Sequence, residues 1–190
     1  NIEISEEEKA VLKEGTVDYI GFSYYMSGTV STDMTIEGMP NKDFKGTQMV
    51  RNPYIESSDW GWPIDPVGLR YILNTVYQRY NVPLFIVENG FGAYDQLDEN
   101  NFIKDDYRID YLSKHIEQME LAIVEDGVDV IGYTPWGIID IVSFGSGEME
   151  KRYGMIYVDK DNKGEGTLKR SKKMSFDWYK NVIATNGAEL

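Results

Sequence analysis

Three short runs of β-branched and aromatic residues, with apolar positions at helical spacing between each run and the next, constrain this chain more than any other feature of its 190 residues. Thr16 to Tyr25 reads as a buried strand with polar groups at its tip. Asp65-Pro66 then supplies a cap and a first-turn proline, and Leu69, Ile72, Leu73, Val76 and Tyr80 follow with helical periodicity. Asn81-Val-Pro83 breaks that helix and opens a second strand, Leu84 to Val87, which ends on Glu88 and turns at Asn89-Gly90. Ile109, Leu112, Ile116, Met119 and Ile123 mark a long amphipathic helix stopped by Gly127. Val128 to Tyr133 is a third strand, ending at Thr134-Pro135-Trp136.

Around this skeleton, Ser5 and Glu8 form a capping box that predicts a short helix to Glu14, ended by Gly15. Residues 27–64 have weak periodicity and read as a long loop excursion. Tyr153 to Val158 is extended, Asp159 to Gly166 is a polar turn, and Ser171 to about Ala184 is a closing helix carrying Phe176, Trp178 and Tyr179.

Strands that alternate with helices predict an α/β fold with parallel strands and right-handed crossovers. Three such units do not close an eight-stranded barrel, and alone they leave an open sheet with exposed edges. The length is that of one domain, 1–190, with no internal repeat or low-complexity tract.

Composition narrows the chemistry. There is no cysteine and one histidine, which disfavours thiolate or His-based metal sites and a Ser-His-Asp triad. Carboxylates, tyrosines, lysines and backbone are left to act, and no metal or organic cofactor is indicated. A net charge of −13 argues against nucleic acid as a partner, and an anionic substrate needs a local basic pocket. No apolar stretch is long enough to span a bilayer and the first residues lack a signal-peptide pattern, so no membrane partner is expected.

With parallel strands, three tips converge on one face: Ser23-Tyr24-Tyr25, Glu88-Asn89-Gly90 and Trp136. A carboxylate, a tyrosine and an indole are the ingredients of a sugar site, because the indole stacks on the apolar face of a pyranose while the carboxylate attacks or stabilises the anomeric carbon. Singly, Trp136 is explained by core packing and Tyr25 as a half-buried strand aromatic. Their placement at successive tips favours the site.

Three ordered segments resemble glycoside hydrolase family 1, the retaining β-glucosidases and phospho-β-glycosidases. Ile86-Val-Glu-Asn-Gly90 is similar to the family's nucleophile motif, Val17 to Tyr25 to its sixth barrel strand, and Thr134-Pro-Trp-Gly-Ile-Ile-Asp140 to the segment after its eighth. The resemblance covers roughly residues 5–185 and implies about three βα units from the C-terminal part of a (β/α)8 TIM barrel. It also implies that Glu88 is the nucleophile and Tyr25 the residue that orients it.

Two departures from the family pattern inform specificity. Ser23 stands where the family usually has Asn. Seven residues after Trp136, where non-phosphorylated β-glucosidases carry a sugar-gripping glutamate, the chain has Ser143. Phospho-β-glycosidases resemble it there, with a serine followed by Lys-x-Tyr, matching Lys151-Arg152-Tyr153. A glutamate would repel a sugar 6-phosphate, whereas Ser143 and Tyr153 donate hydrogen bonds and Lys151 a charge-assisted one. Gly145, Ser146 and Gly147 are further candidates as backbone donors. A Lys-Arg pair is most often a solvated one, but its position after Trp136 favours phosphate binding. Phe144, where galacto-specific members tend to carry Trp, leans towards the gluco epimer.

The family's acid/base glutamate lies in an Asn-Glu-Pro motif, and no Asn-Glu-Pro occurs here. The expectation is therefore a C-terminal segment of a retaining 6-phospho-β-glucosidase, silent alone, whose partners are a phosphorylated β-glucoside and the N-terminal remainder of the barrel. The phosphorylated substrate implies a cytoplasmic setting. The competing readings are a non-catalytic phosphosugar-binding or structural fragment, and a plain β-glucosidase, which Ser143 opposes.

Overall fold

A computed structural model describes residues 3–44 and 47–190, with 39–44 and Thr47 described by backbone alone. The capping box forms as expected: the Ser5 amide donates to Glu8 Oε2 at 2.8 Å and Ser5 Oγ accepts from the Glu8 amide at 3.2 Å. It opens α1, Glu6–Glu14, which buries none of its residues.

The three expected strands are β1 (Ile20–Ser23), β5 (Leu84–Asn89) and β6 (Val130–Pro135), and they form a parallel sheet in the order β1-β5-β6. The first strand is shorter than its apolar run, and the third is displaced by two residues towards its tip. The helices α2 (Pro66–Tyr80) and α3 (Asp106–Val124) supply the crossovers. Leu69 and Leu73 of α2 and Ala122 of α3 are fully buried against Leu84, Ile86 and Val128. Asp65 caps α2 by accepting from the Gly68 amide at 2.9 Å, and Tyr24 donates to the Asp65 carbonyl at 2.7 Å, which ties the helix start to the tip of β1. The three strands do not close a barrel.

The segment expected to be a loop, 27–64, instead contains an antiparallel sheet of β2 (Thr29–Ser31), β3 (Gly38–Phe44) and β4 (Thr47–Val50) in the order β2-β4-β3. Its side-chain pattern runs against the usual one. Val30 is exposed between half-buried Thr29 and Ser31, while Gln48 is buried and donates to the carbonyls of Asp33 and Ile36 at 3.1 and 2.7 Å. A strand that turns a polar group inward carries no hydrophobic alternation to read.

The C-terminal region also differs. Residues Arg170–Lys172 form β8, antiparallel to β7 (Ile156–Val158), and the closing helix α4 begins at Met174 and runs to Ala184. Ser171, expected in that helix, pairs instead with Tyr157.

One buried group links fold to pH. His115 on α3 is fully buried, its Nδ1 donates to the Tyr111 carbonyl at 2.7 Å, and its Nε2 has no partner among the described residues. Burial pushes its pKa down to about 4. The unfolded chain therefore binds a proton that the folded one refuses, so stability falls as pH drops from about 6.5 towards 4. The total loss is about 3 kcal/mol. Chemical denaturation across that window should show the decline, and His115→Gln should flatten it.

Candidate active site

The parallel register sets the tips side by side. Ser23 stands opposite Glu88 and Asn89 opposite Pro135, and the amides of Tyr24 and Trp136 donate to the carbonyls of Glu88 and Asn89 at 2.9 and 2.7 Å. Ser23 Oγ and Tyr25 Oη both donate to Glu88 Oε2, at 2.9 and 3.0 Å. The second carboxylate oxygen accepts no hydrogen bond among the described residues, which leaves a half-buried carboxylate steadied on one oxygen and open on the other. Burial first, and the bond to Glu88 second, push the Tyr25 phenol well above its ordinary pKa, so it remains a donor.

Asn89 is the lock beneath this arrangement. Fully buried, it donates through Nδ2 to the Tyr24 carbonyl at 2.7 Å and to Tyr111 Oη at 3.1 Å, and accepts from Tyr133 Oη at 2.7 Å. Tyr111 Oη in turn donates to the Tyr25 carbonyl at 3.0 Å. Gly90 lets Trp136 approach: a Cβ there would lie 3.0 Å from the tryptophan Cβ.

Lys151 and Tyr153 lie beside one another, both packed on Gly92. Lys151 is 5% exposed, so it does not belong to a solvated basic pair. Its ammonium sits 4.0 Å from the Trp62 ring centroid, 5.4 Å from Trp60 and 5.6 Å from Tyr153, and forms no ion pair among the described residues. Cation–π attraction holds it there without neutralising its charge. Trp62 also meets Tyr25 edge-on, with centroids 5.8 Å apart. One indole thus joins the group that holds Glu88 to the ammonium.

Ser143 is buried, but no hydrogen bond joins it to Lys151 or Tyr153 among the described residues. It heads a tight loop in which its amide donates to the Glu148 carbonyl and its carbonyl accepts from the Gly147 amide, both at 2.8 Å. The Gly147 amide is therefore engaged within the loop and unavailable as an anion donor. Phe144 is fully exposed.

Trp60 and Trp62 were not among the residues singled out from sequence. The signal was present: two indoles bracketing Gly61, which has φ +71°, in a polar segment. An aromatic pair on a turn, ahead of a helix cap, is an unusual placement for core residues.

The structure thus brings together a strand-tip carboxylate, the serine and tyrosine that bond it, and an indole packed on that tyrosine. The chain belongs to glycosyl hydrolase family 1, whose family model matches residues 1–188. It is 60% identical over 198 residues to the aryl-phospho-beta-D-glucosidase BglA of Bacillus subtilis, covering 100% of this chain and 40% of that protein. It is 56% identical to a 6-phospho-beta-glucosidase of Dickeya chrysanthemi, again covering 100% of this chain and 40% of the relative. Among solved structures, the family 1 β-glucosidase of Thermotoga maritima superposes with a TM-score of 0.79 at 33% identity, covering 98% of this chain and 40% of that one. The chain thus spans about 40% of the length of these relatives.

Proposed function

We propose that this chain is the C-terminal part of a retaining 6-phospho-β-glucosidase and supplies its nucleophile and its phosphate pocket. The open oxygen of Glu88 attacks the anomeric carbon of a 6-phospho-β-glucoside. The bond from that carbon to the aglycone oxygen breaks as a glutamate from the N-terminal remainder of the barrel protonates the leaving oxygen. Water, deprotonated by the same glutamate, then releases the sugar from the glycosyl ester with retained configuration. Tyr25 orients Glu88, Trp136 stacks on the sugar, and Ser143, Lys151 and Tyr153 bind the phosphate. A cytoplasmic setting accords with a phosphorylated substrate.

The observation that carries this reading is the continuity from Glu88 through Tyr25 and Trp62 to an ammonium with no carboxylate partner among the described residues. An acidic chain that keeps one buried cation uncompensated beside a strand-tip carboxylate is built to hold an anion near that carboxylate. The phosphoglucosidase names of the relatives support the same choice.

Lys151→Met, made in the full-length protein, tests it. The substitution keeps the stem and removes a charge-assisted bond worth about 1.5–3 kcal/mol. KM for an aryl 6-phospho-β-glucoside should rise by roughly 10- to 150-fold. The ratio of kcat/KM on the phosphorylated substrate to that on the plain aryl glucoside should fall by a similar factor. Equal losses on both substrates would remove Lys151 from the phosphate pocket.

A further inference from the structure

The extended segment Lys151-Arg152-Tyr153 has two faces. Lys151 and Tyr153 meet Trp62 and Gly92, while Arg152 turns the other way into a buried cluster of charges. There its guanidinium donates to the carbonyls of Val158 and Lys160 at 2.9 and 2.6 Å and pairs with Asp140 Oδ2 at 3.4 Å. Asp140 Oδ1 accepts from the Gly154 amide at 2.9 Å and from Lys173 Nζ at 2.7 Å. Lys173 also pairs with Asp95, and Arg108 pairs with Asp95 and Asp105 at 3.0 and 2.5 Å. Arg108 closes the frame by donating to the Arg152 carbonyl at 2.9 Å.

The cluster is balanced: Asp95, Asp105 and Asp140 face Arg108, Arg152 and Lys173. Each of these buried cations has a carboxylate, and Lys151, on the opposite face of the same segment, has none among the described residues. Asp140 is also the point where the frame touches the backbone next to Tyr153, through the Gly154 amide. It lies four residues after Trp136, so one carboxylate links the segment leaving the third strand tip to the segment carrying the phosphate ligands.

We propose that Asp140, acting with Arg152, is a positioning residue for phosphate recognition. It fixes residues 152–154 so that Lys151 and Tyr153 stand together, and it neutralises the neighbouring cations so that Lys151 alone offers charge to the substrate dianion. The inference rests on the phosphoglucosidase reading above. Outer-shell partners of metal ligands cost about 10- to 100-fold when removed, and a positioning group beneath phosphate ligands is expected to act on the same scale.

The test is Asp140→Asn in the full-length protein, which preserves size and an acceptor for the Gly154 amide. The ratio of kcat/KM for an aryl 6-phospho-β-glucoside to that for the unphosphorylated glucoside should fall by about tenfold or more. The loss should fall on KM for the phosphorylated substrate. If circular dichroism shows that Asp140→Asn does not fold, Arg152→Lys carries the same expectation, because it keeps the charge and loses the fork to two carbonyls. A wild-type protein without preference for the phosphorylated substrate would overturn both the functional reading and this inference. A wild-type preference that the variants leave unchanged, or equal losses on both substrates, would overturn the inference alone.

Discussion

Glu88→Gln in the full-length protein should lower turnover of an aryl 6-phospho-β-glucoside by at least about a thousandfold. The amide is nearly isosteric and still offers an acceptor to Ser23 Oγ and Tyr25 Oη, which now bond at 2.9 and 3.0 Å, so the strand tip stays in place. What is lost is the oxygen that forms the glycosyl ester and the charge that stabilises the oxocarbenium-like transition state. A thousandfold corresponds to about 4 kcal/mol of transition-state stabilisation, within the range of a single electrostatic or nucleophilic contribution. Steady-state assays with a folded variant measure it. Glu88→Ala with added azide sharpens the result: azide entering the vacated space attacks from the nucleophile's side, and the product should be the α-glycosyl azide. Turnover by Glu88→Gln near the wild-type level would remove Glu88 from the nucleophile's role.

The 190-residue chain by itself should hydrolyse neither the phosphorylated nor the plain aryl glucoside at a measurable rate. Retention requires two carboxyl groups about 5–5.5 Å apart. At the three tips Glu88 stands as the sole carboxylate, between Ser23-Tyr24-Tyr25 and Pro135-Trp136. Without a proton donor the aglycone departs as an unprotonated aryloxide, and loss of general acid catalysis alone costs about 10²–10⁴-fold. Among the described residues the outer edges of β1 and β6 also pair with no further strand, so no opposite wall faces the three tips there. Mixing the chain with a separately produced N-terminal portion should restore turnover if the two halves assemble. Rapid hydrolysis by a mass-verified sample of residues 1–190 alone would overturn the proposal.

The parts of the fold that sequence revealed are those where burial is one-sided and local. Leu69, Ile72, Leu73 and Val76 repeat at helical spacing because one face of α2 packs on the sheet. Leu84 and Ile86 form an apolar run because β5 lies between β1 and β6. The sheet within 27–64 escaped because Val30 faces out while Gln48, satisfied by backbone carbonyls, faces in. The start of α4 was misjudged because Ser171 pairs in a hairpin, and no helical pattern records that.

The site divides in the same way. Glu88 was legible as a carboxylate closing a strand, whereas Tyr25, Ser143, Lys151 and Tyr153 drew their roles from resemblance. Trp62 contacts partners 37 residues before and 89 after it in the chain, so no local pattern could announce it. The Lys151-Arg152 pair reads from its position after Trp136 as phosphate-binding, yet Arg152 is a buried group turned into a charge cluster, because its carboxylate partner, Asp140, lies 12 residues away.

The bonds around Asn89 bear on how the protein ages. Asn-Gly is the dipeptide most prone to deamidate, because an unhindered glycine nitrogen attacks the side-chain carbonyl and closes a succinimide. In the fold that carbonyl is engaged by Tyr133 and the amide by Tyr24 and Tyr111, and the whole side chain is sealed from water. The reaction therefore requires the strand tip to open. Each unfolding excursion risks installing aspartate or isoaspartate one residue from Glu88, where a second negative charge would face two tyrosine hydroxyls and a backbone carbonyl. The hydrogen bonds that hold the strand tip beside Glu88 thus also protect Asn89 chemically, and the rate of that lesion is set by local stability.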